Sequence, residues 1–154
     1  MSTASAVSAE LRVEMQFMAR RPWVPGATAL RRWARGAYAS VAHGKRPRAG
    51  APLICIRVVG AAESRRLNRS FRGKDAPTNV LSFAASPQER ANDGALGDLA
   101  ICAPLVAREA RAQDKTLAAH WAHMVVHGVL HLAGYDHRHD REARRMEQIG
   151  RAHV

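Results

Sequence analysis

The sequence contains only two cysteines in 154 residues, Cys55 and Cys102. Neither has a second cysteine at the C-x-x-C spacing that is typical of zinc and redox motifs. Both lie in apolar stretches, LICIRVV and LAIC, so we interpret them as buried thiols in β-strands. A zinc ligand and a disulfide bond are the alternatives for these residues. With so few cysteines the chain has no disulfide framework, which favours a protein of a reducing compartment.

Long hydrophobic runs are also missing from the chain. No apolar stretch approaches the roughly 20 residues of a membrane-spanning helix. The first nine residues, MSTASAVSA, lack the basic and apolar regions of a signal peptide. We therefore expect no membrane association, a cytoplasmic location and a disordered tail over residues 1–10. Residues 11–154 fit a single domain.

Acidic and aromatic residues are scarce. The 13 Asp and Glu residues oppose 24 Lys and Arg residues, which gives a net charge of +11, and aromatic residues make up 5%. A positive field of this size concentrates polyanions, so nucleic acid is the expected partner. The low aromatic content argues against stacking as the main means of holding a single strand. Lysine is rare among the basic residues, a bias that is typical of proteins encoded by GC-rich genes. We therefore attribute part of the arginine excess to codon composition and not to ligand binding.

Hydrophobic periodicity predicts an α+β domain with a roughly four-stranded mixed sheet and about five helices. The predicted strands cover residues 11–17, 53–59, 79–84 and 96–102. The predicted helices cover residues 28–42, 62–71, 104–112, 116–133 and 140–149. Residues 43–52 and 86–94 are interpreted as loops, the first of them basic.

Four histidines lie within the 15 residues HMVVHGVLHLAGYDH, at positions 123–137. Residues four apart on a helix share one face, so His127 and His131 are placed to bind one metal ion. Gly134 predicts a positive φ that ends the helix and returns His137 to the same ion. Three histidines with one open position are typical of catalytic zinc, although copper, nickel and iron also accept imidazole. We predict one Zn²⁺ per chain, on this buried helix and the turn after it.

Two other histidines were weighed against these ligands. His120 lies two turns before His127, about 10 Å along the axis. It is too distant to share the ion, so we assign it a packing or RNA-facing role. His139 is the rival of His137 as third ligand, but it lies in a charged segment that favours solvation.

The metzincin peptidases share this histidine spacing, His-Glu-x-x-His-x-x-Gly-x-x-His. Position 128 holds glycine where those enzymes carry the glutamate that acts as general base. A metzincin-like zinc peptidase is therefore disfavoured by Gly128. A non-catalytic RNA-binding factor with a structural metal is the other alternative.

Four stretches together resemble the YbeY family of metal-dependent endoribonucleases. They are NRSFRGKDAPTNVLSF (68–83), GDLAIC (97–102), AHWAHM (119–124) and HGVLHLAGYDH (127–137). The N-terminal region diverges from the family pattern, and the chain ends at Val154 where the resemblance predicts a longer final helix.

This resemblance implies a zinc endoribonuclease specific for single-stranded RNA. The implied roles are 3′ maturation of small-subunit ribosomal RNA and ribosome quality control, with the small subunit as a partner. The family's zinc ligands correspond to His127, His131 and His137, and its functionally important arginine corresponds to Arg72. Whether water or the substrate 2′-hydroxyl attacks the phosphate stays open.

The residues themselves suggest how Arg72 and two carboxylates contribute. A guanidinium grips phosphate with two hydrogen bonds, so Arg72 is the candidate to meet charge that develops on the phosphoryl oxygens. The alternative for Arg72 is a structural pair with Asp75. Asp98 and Asp136 are candidates to orient a ligand imidazole.

Overall fold

The computed structural model describes residues 10–21, 23–41 and 51–134. Its four strands are β1 (Arg12–Phe17), β2 (Leu53–Val59), β3 (Val80–Ala84) and β4 (Ala95–Cys102). They form one sheet in the order β1-β2-β4-β3. β1 and β4 both run parallel to β2, whereas β3 pairs antiparallel with β4. The mixed four-stranded sheet predicted from the sequence is confirmed.

Five helices within the described residues connect or cover these strands. They are α1 (Ala27–Val41), α2 (Ala61–Arg72), α3 (Pro87–Asp93), α4 (Ala103–Ala112) and α5 (Leu117–Leu132). Four of them match the predicted helices to within one residue at each end. The fifth predicted helix, residues 140–149, lies outside the described residues. So do residues 1–9 of the tail and most of the basic loop 43–52.

α1 and α5 pack together over one face of the sheet, which we call the inner face. Alternation along the strands sends every second side chain to this face. The core formed there contains Leu11, Val13, Ile54, Ile56, Val58, Leu99 and Ile101, together with Trp33 and Trp121 from the two helices. Thr116 caps the start of α5, and its Oγ1 accepts a hydrogen bond of 3.1 Å from the Ala119 amide. This packing fixes the histidine-bearing helix on the sheet.

α2 and α3 both contact β4, and α2 lies over the opposite, outer face. An ion pair of 2.7 Å between Arg57 of β2 and Glu63 ties α2 to the strands beneath it. Gly73 caps the end of α2, and its φ of 70° is a left-handed conformation that suits glycine. The amides of Gly73 and Lys74 donate to the carbonyls of Arg69 and Asn68. The last turn of α2 is therefore firmly closed.

α3 corrects the predicted loop at residues 86–94. The Ser86 side chain accepts from the Glu89 amide, the Glu89 side chain accepts from the Ser86 amide, and Pro87 begins the helix. None of its seven residues is buried. A helix without an apolar stripe gives no periodicity to detect, so only the capping pattern could have predicted it.

The histidine-bearing helix is the most apolar of the described helices, but it is too short to cross a membrane. No helix within the described residues is long and apolar enough to do so.

Candidate functional site

The last two turns of α5 carry two of the three predicted metal ligands. His127 is half-buried and His131 is exposed, and their spacing places both rings on one face of the helix. The ring of His123 lies against that of His127, with centroids 4.2 Å apart. The chain leaves α5 through Gly134, whose φ is 103°, so the predicted positive φ is confirmed. The amide of Gly134 donates to the His131 carbonyl over 3.0 Å.

The third predicted ligand, His137, and its rival His139 lie outside the described residues. Within residues 10–21, 23–41 and 51–134, no three His, Cys, Asp or Glu side chains are grouped to hold a metal ion. The donor set that is described fits zinc chemically, because two imidazoles one turn apart are a common zinc chelate. The assignment of three ligands therefore stays a prediction.

Gly128 lies between the two histidines and faces the sheet rather than the ligand side. A Cβ atom at this position would lie 2.8 Å from both Cδ atoms of Leu99, which is fully buried. The helix therefore approaches β4 more closely than a larger residue allows. A glutamate at this position would point into the core and could not act as the base of a peptidase.

Arg72 is the last residue of α2, and its side chain is exposed. The predicted alternative, a structural pair with Asp75, is wrong. Arg65 donates two hydrogen bonds of 2.7 and 2.9 Å to the Asp75 carboxylate, and Arg69 lies 3.9 Å from the same carboxylate. The hydrogen bond from Arg65 holds the pKa of Asp75 below its usual value. Within the described part of the chain, Arg72 makes no ion pair or side-chain hydrogen bond.

The loop after Arg72 is held to α2 by two buried polar residues. Asn68 donates to the Ala76 carbonyl over 2.8 Å. The Ser64 hydroxyl donates to the Thr78 carbonyl and accepts from the Thr78 amide, both at 2.9 Å. These bonds fix the path of the loop from the end of α2 to the start of β3. The position of Arg72 relative to β3 is therefore set by the fold and not by loop flexibility.

A hydrogen-bonded network beside the histidines was missed by the sequence analysis. His120 is 2% exposed, and its Nε2 lies 2.9 Å from Oε1 of Glu109 on α4. Asn79, just before β3, donates its amide to both Glu109 oxygens over 3.1 Å. The His120 ring is stacked on that of His123 at 6.1 Å. The packing role expected for His120 is confirmed, and an RNA-facing role is excluded by its burial.

Asp98 lies on the outer face, so its predicted role beside a ligand imidazole is wrong. Its neighbour Leu99 faces Gly128 of α5, and alternate residues of a strand point to opposite faces. Asp98 pairs across the sheet with Cys55 and shares an open polar cavity with Glu14 and Glu89. Partial burial and these two carboxylates raise the pKa of Asp98. Asp136, the other candidate, lies outside the described residues.

The two cysteines are free thiols in neighbouring strands. Cys102 is buried in β4, opposite Val59 of β2, whereas Cys55 is half-buried opposite Asp98. Burial, followed by the charges of Asp98 and Glu14, raises the pKa of Cys55. The interpretation as buried thiols in strands is confirmed for Cys102, whereas Cys55 is a strand thiol that is only half-buried. A disulfide between them is excluded by their register.

Comparison with known proteins gives a consistent assignment. The family model described as Endoribonuclease YbeY matches residues 25–154. Endoribonuclease YbeY of Alkalilimnicola ehrlichii is 50% identical over 144 residues, which cover 92% of this chain and 84% of that protein. The protein of the same name from Stenotrophomonas maltophilia is 48% identical over 145 residues, covering 92% and 86%.

A similar fold is found among solved structures. A solution structure of a Thermotoga maritima protein superimposes with a TM-score of 0.58 at 26% identity, covering 93% of this chain and 85% of that one. The family model, the relatives and the fold agree over most of the chain. This protein belongs to the endoribonuclease YbeY family.

Proposed function

We propose that the protein is a zinc-dependent endoribonuclease that cleaves single-stranded RNA. Its biological roles in this proposal are 3′ maturation of small-subunit ribosomal RNA and ribosome quality control. The observation that carries the proposal is the pair of imidazoles, His127 and His131, one turn apart at the end of a helix fixed on the sheet. The relatives from Alkalilimnicola ehrlichii and Stenotrophomonas maltophilia are both named Endoribonuclease YbeY.

His127, His131 and His137 would hold the metal ion. A zinc ion bound by three histidines lowers the pKa of a coordinated water toward ~7 and polarises a phosphoryl oxygen. The backbone around His127 and His131 is preorganised, because the body of α5 is buried against β4 and β3. These two proposed ligands are thus carried by a rigid element, which favours the chemistry of a metal-assisted hydrolase.

Arg72 supplies a positive charge to the reacting phosphate. Its guanidinium has no carboxylate partner among the described residues, so no ion pair has to break when RNA binds. The closed end of α2 restricts its backbone. A cation whose backbone is already positioned stabilises charge that builds on the phosphoryl oxygens with little backbone reorganisation.

The charge of the molecule supports a polyanionic substrate. α2 alone carries Arg65, Arg66, Arg69 and Arg72, and Lys74 follows it. Binding should therefore weaken with salt, because each neutralised phosphate releases counterions. The ribosomal role rests on the family resemblance and not on any contact described above.

Cleavage of a labelled single-stranded RNA tests the proposal. The purified protein should cut it, leave the same RNA intact when it is annealed to its complement, and lose activity with a chelator until zinc is restored. RNA binding without cleavage would identify the protein as a binding factor with a structural metal. Hydrolysis of a peptide substrate would support the zinc peptidase instead. The end groups of the RNA products decide between water and the 2′-hydroxyl as nucleophile.

A further inference from the structure

Phe71 is an exposed aromatic residue that the fold does not need for its core. Its exposed fraction is 67%, the largest among the exposed large apolar side chains of the described residues. It occupies the last turn of α2, directly before Arg72. Exposure of single apolar residues is common. Phe71, however, has a second aromatic ring and cationic side chains as neighbours, a combination that suits ligand binding.

The ring of Phe71 is held in a defined orientation. It packs edge-on against Phe83 of β3, with centroids 4.9 Å apart and an angle of 66° between the ring planes. Aromatic pairs prefer this arrangement. The left-handed cap at Gly73 closes the turn that carries Phe71. One ring thus supports the other, while most of the Phe71 surface stays in solvent.

The surroundings of this ring are cationic. Arg72 follows it without an ion pair to any described residue, and Lys74 lies two positions further on and is exposed. Asp75, the nearest acidic residue in sequence, is already paired with Arg65. An exposed aromatic ring beside free cations complements a base and the phosphates that flank it.

The ring and the histidine-bearing helix lie on opposite faces of the same strand, β3. β3 is an edge strand of the sheet. Phe83 pairs with Asp98 and therefore lies on the outer face, whereas α5 packs on β3 from the inner face. A strand of RNA that crosses this edge would have the Phe71 ring on one side and the histidines on the other.

We propose that Phe71 is a stacking platform for one unpaired base of the RNA, next to the phosphate that Arg72 contacts. This inference rests on the proposed function and adds a physical origin for its single-strand specificity. A base within a duplex is stacked on both faces and paired, so it cannot lie on Phe71. The scarcity of aromatic residues fits one platform that selects an unpaired base, with the bulk of the affinity coming from charge.

Binding measured in the presence of chelator tests the platform without cleavage and independently of the metal. Fluorescence anisotropy of a short labelled single-stranded RNA should show Phe71→Ala weakening affinity by between about 5-fold and 150-fold. Phe71→Leu should weaken it similarly while keeping an apolar contact with Phe83, and Phe71→Trp should retain the affinity. The matched control is Trp23→Ala, which removes a 51% exposed aromatic residue between β1 and α1 and should change nothing.

Two further readings separate stacking from charge and from misfolding. The slope of log affinity against log salt should be unchanged in Phe71→Leu, because the ring neutralises no phosphate, whereas Arg72→Ala should reduce it by about 0.7. Replacing one nucleotide at a time by an abasic unit should weaken wild-type binding at one position and have no effect there in Phe71→Leu. If the affinity lost by an abasic unit adds fully to the affinity lost in Phe71→Leu at every position, the platform alone is overturned. The same holds if Phe71→Leu and Phe71→Ala bind RNA as tightly as wild type. A wild-type protein that binds no RNA either in chelator or with zinc restored would overturn both the platform and the proposed function.

Discussion

The Nε2 atom of His120 lies 2.9 Å from Oε1 of Glu109, inside the contact between α5 and α4. The same carboxylate accepts from the Asn79 side chain, which precedes β3. One partly buried carboxylate thus joins three elements: the helix with the histidines, its neighbour, and the end of the loop that follows Arg72. Groups that share a buried acceptor in this way are expected to be energetically coupled.

Glu109→Ala should lower the free energy of unfolding by about 1–3 kcal/mol, because His120 and Asn79 both lose their acceptor. Urea denaturation provides the measurement, and Arg108→Ala on the exposed side of α4 is the control, with a change within about 0.5 kcal/mol. Combining Glu109→Ala with Asn79→Ala should cost less than the sum of the two single changes. Full additivity would show that the three residues do not act as a unit.

Arg72→Ala should leave folding and zinc content near wild type while single-turnover cleavage falls by about 10²–10³, the effect of removing one donor to a developing oxyanion. Arg72→Lys should recover part of the rate, because an ammonium retains the charge but not the two-pronged geometry. Arg66→Ala, an exposed arginine of the same helix, is the matched control. Cleavage by Arg72→Ala at the wild-type rate would assign the catalytic cation to another residue.

Gly128→Glu should not create a peptidase and should destabilise the fold by at least about 3 kcal/mol, because an unpaired carboxylate would be buried. The reason is the contact between position 128 and the buried side chain of Leu99. Ala118→Glu on an exposed position of α5 should be tolerated. A folded Gly128→Glu variant that hydrolyses peptides would contradict the orientation of this helix.

Asp98→Asn should stabilise the protein at neutral pH. Folding raises the pKa of Asp98 through partial burial and through Glu89 and Glu14. Ionised Asp98 therefore opposes folding. The stability that protonated Asp98 contributes is fully present below the ordinary pKa of 3.8, and it is lost as pH rises through the raised pKa of the folded protein. Solvent exposure limits the gain at pH 7 to less than about 1 kcal/mol. Urea denaturation of Asp98→Asn and wild type across pH should show that the difference in their free energies of unfolding shrinks in acid. A difference that is constant with pH would contradict this account.

The fold was largely predictable, because its main elements have a strong hydrophobic period. The alternation in β1 and the apolar runs of β2 and α5 gave element types and bounds almost as observed. α3 was not found because its seven residues bury nothing. The capping pattern at Ser86 and Glu89 was present in the sequence, but a polar segment between strands favours a loop on composition alone.

The site was predictable only where the spacing within one element decides it. His127 and His131 share a face because they lie four apart on a helix. The sequence left open whether Arg72 pairs with Asp75, because the choice between Arg65 and Arg72 depends on how the loop returns along α2; the structure pairs Asp75 with Arg65. The error at Asp98 has a similar origin. Alternation separates Asp98 from Leu99, but it does not tell which face α5 covers.

The zinc content of the purified protein tests the central claim most directly. Elemental analysis should find about one zinc per chain in the wild type, and His131→Ala and His137→Ala should lose most of it and with it the cleavage of single-stranded RNA. His139→Ala should keep both. Full zinc content in His131→Ala or His137→Ala, or cleavage that survives metal removal, would contradict the three-histidine site.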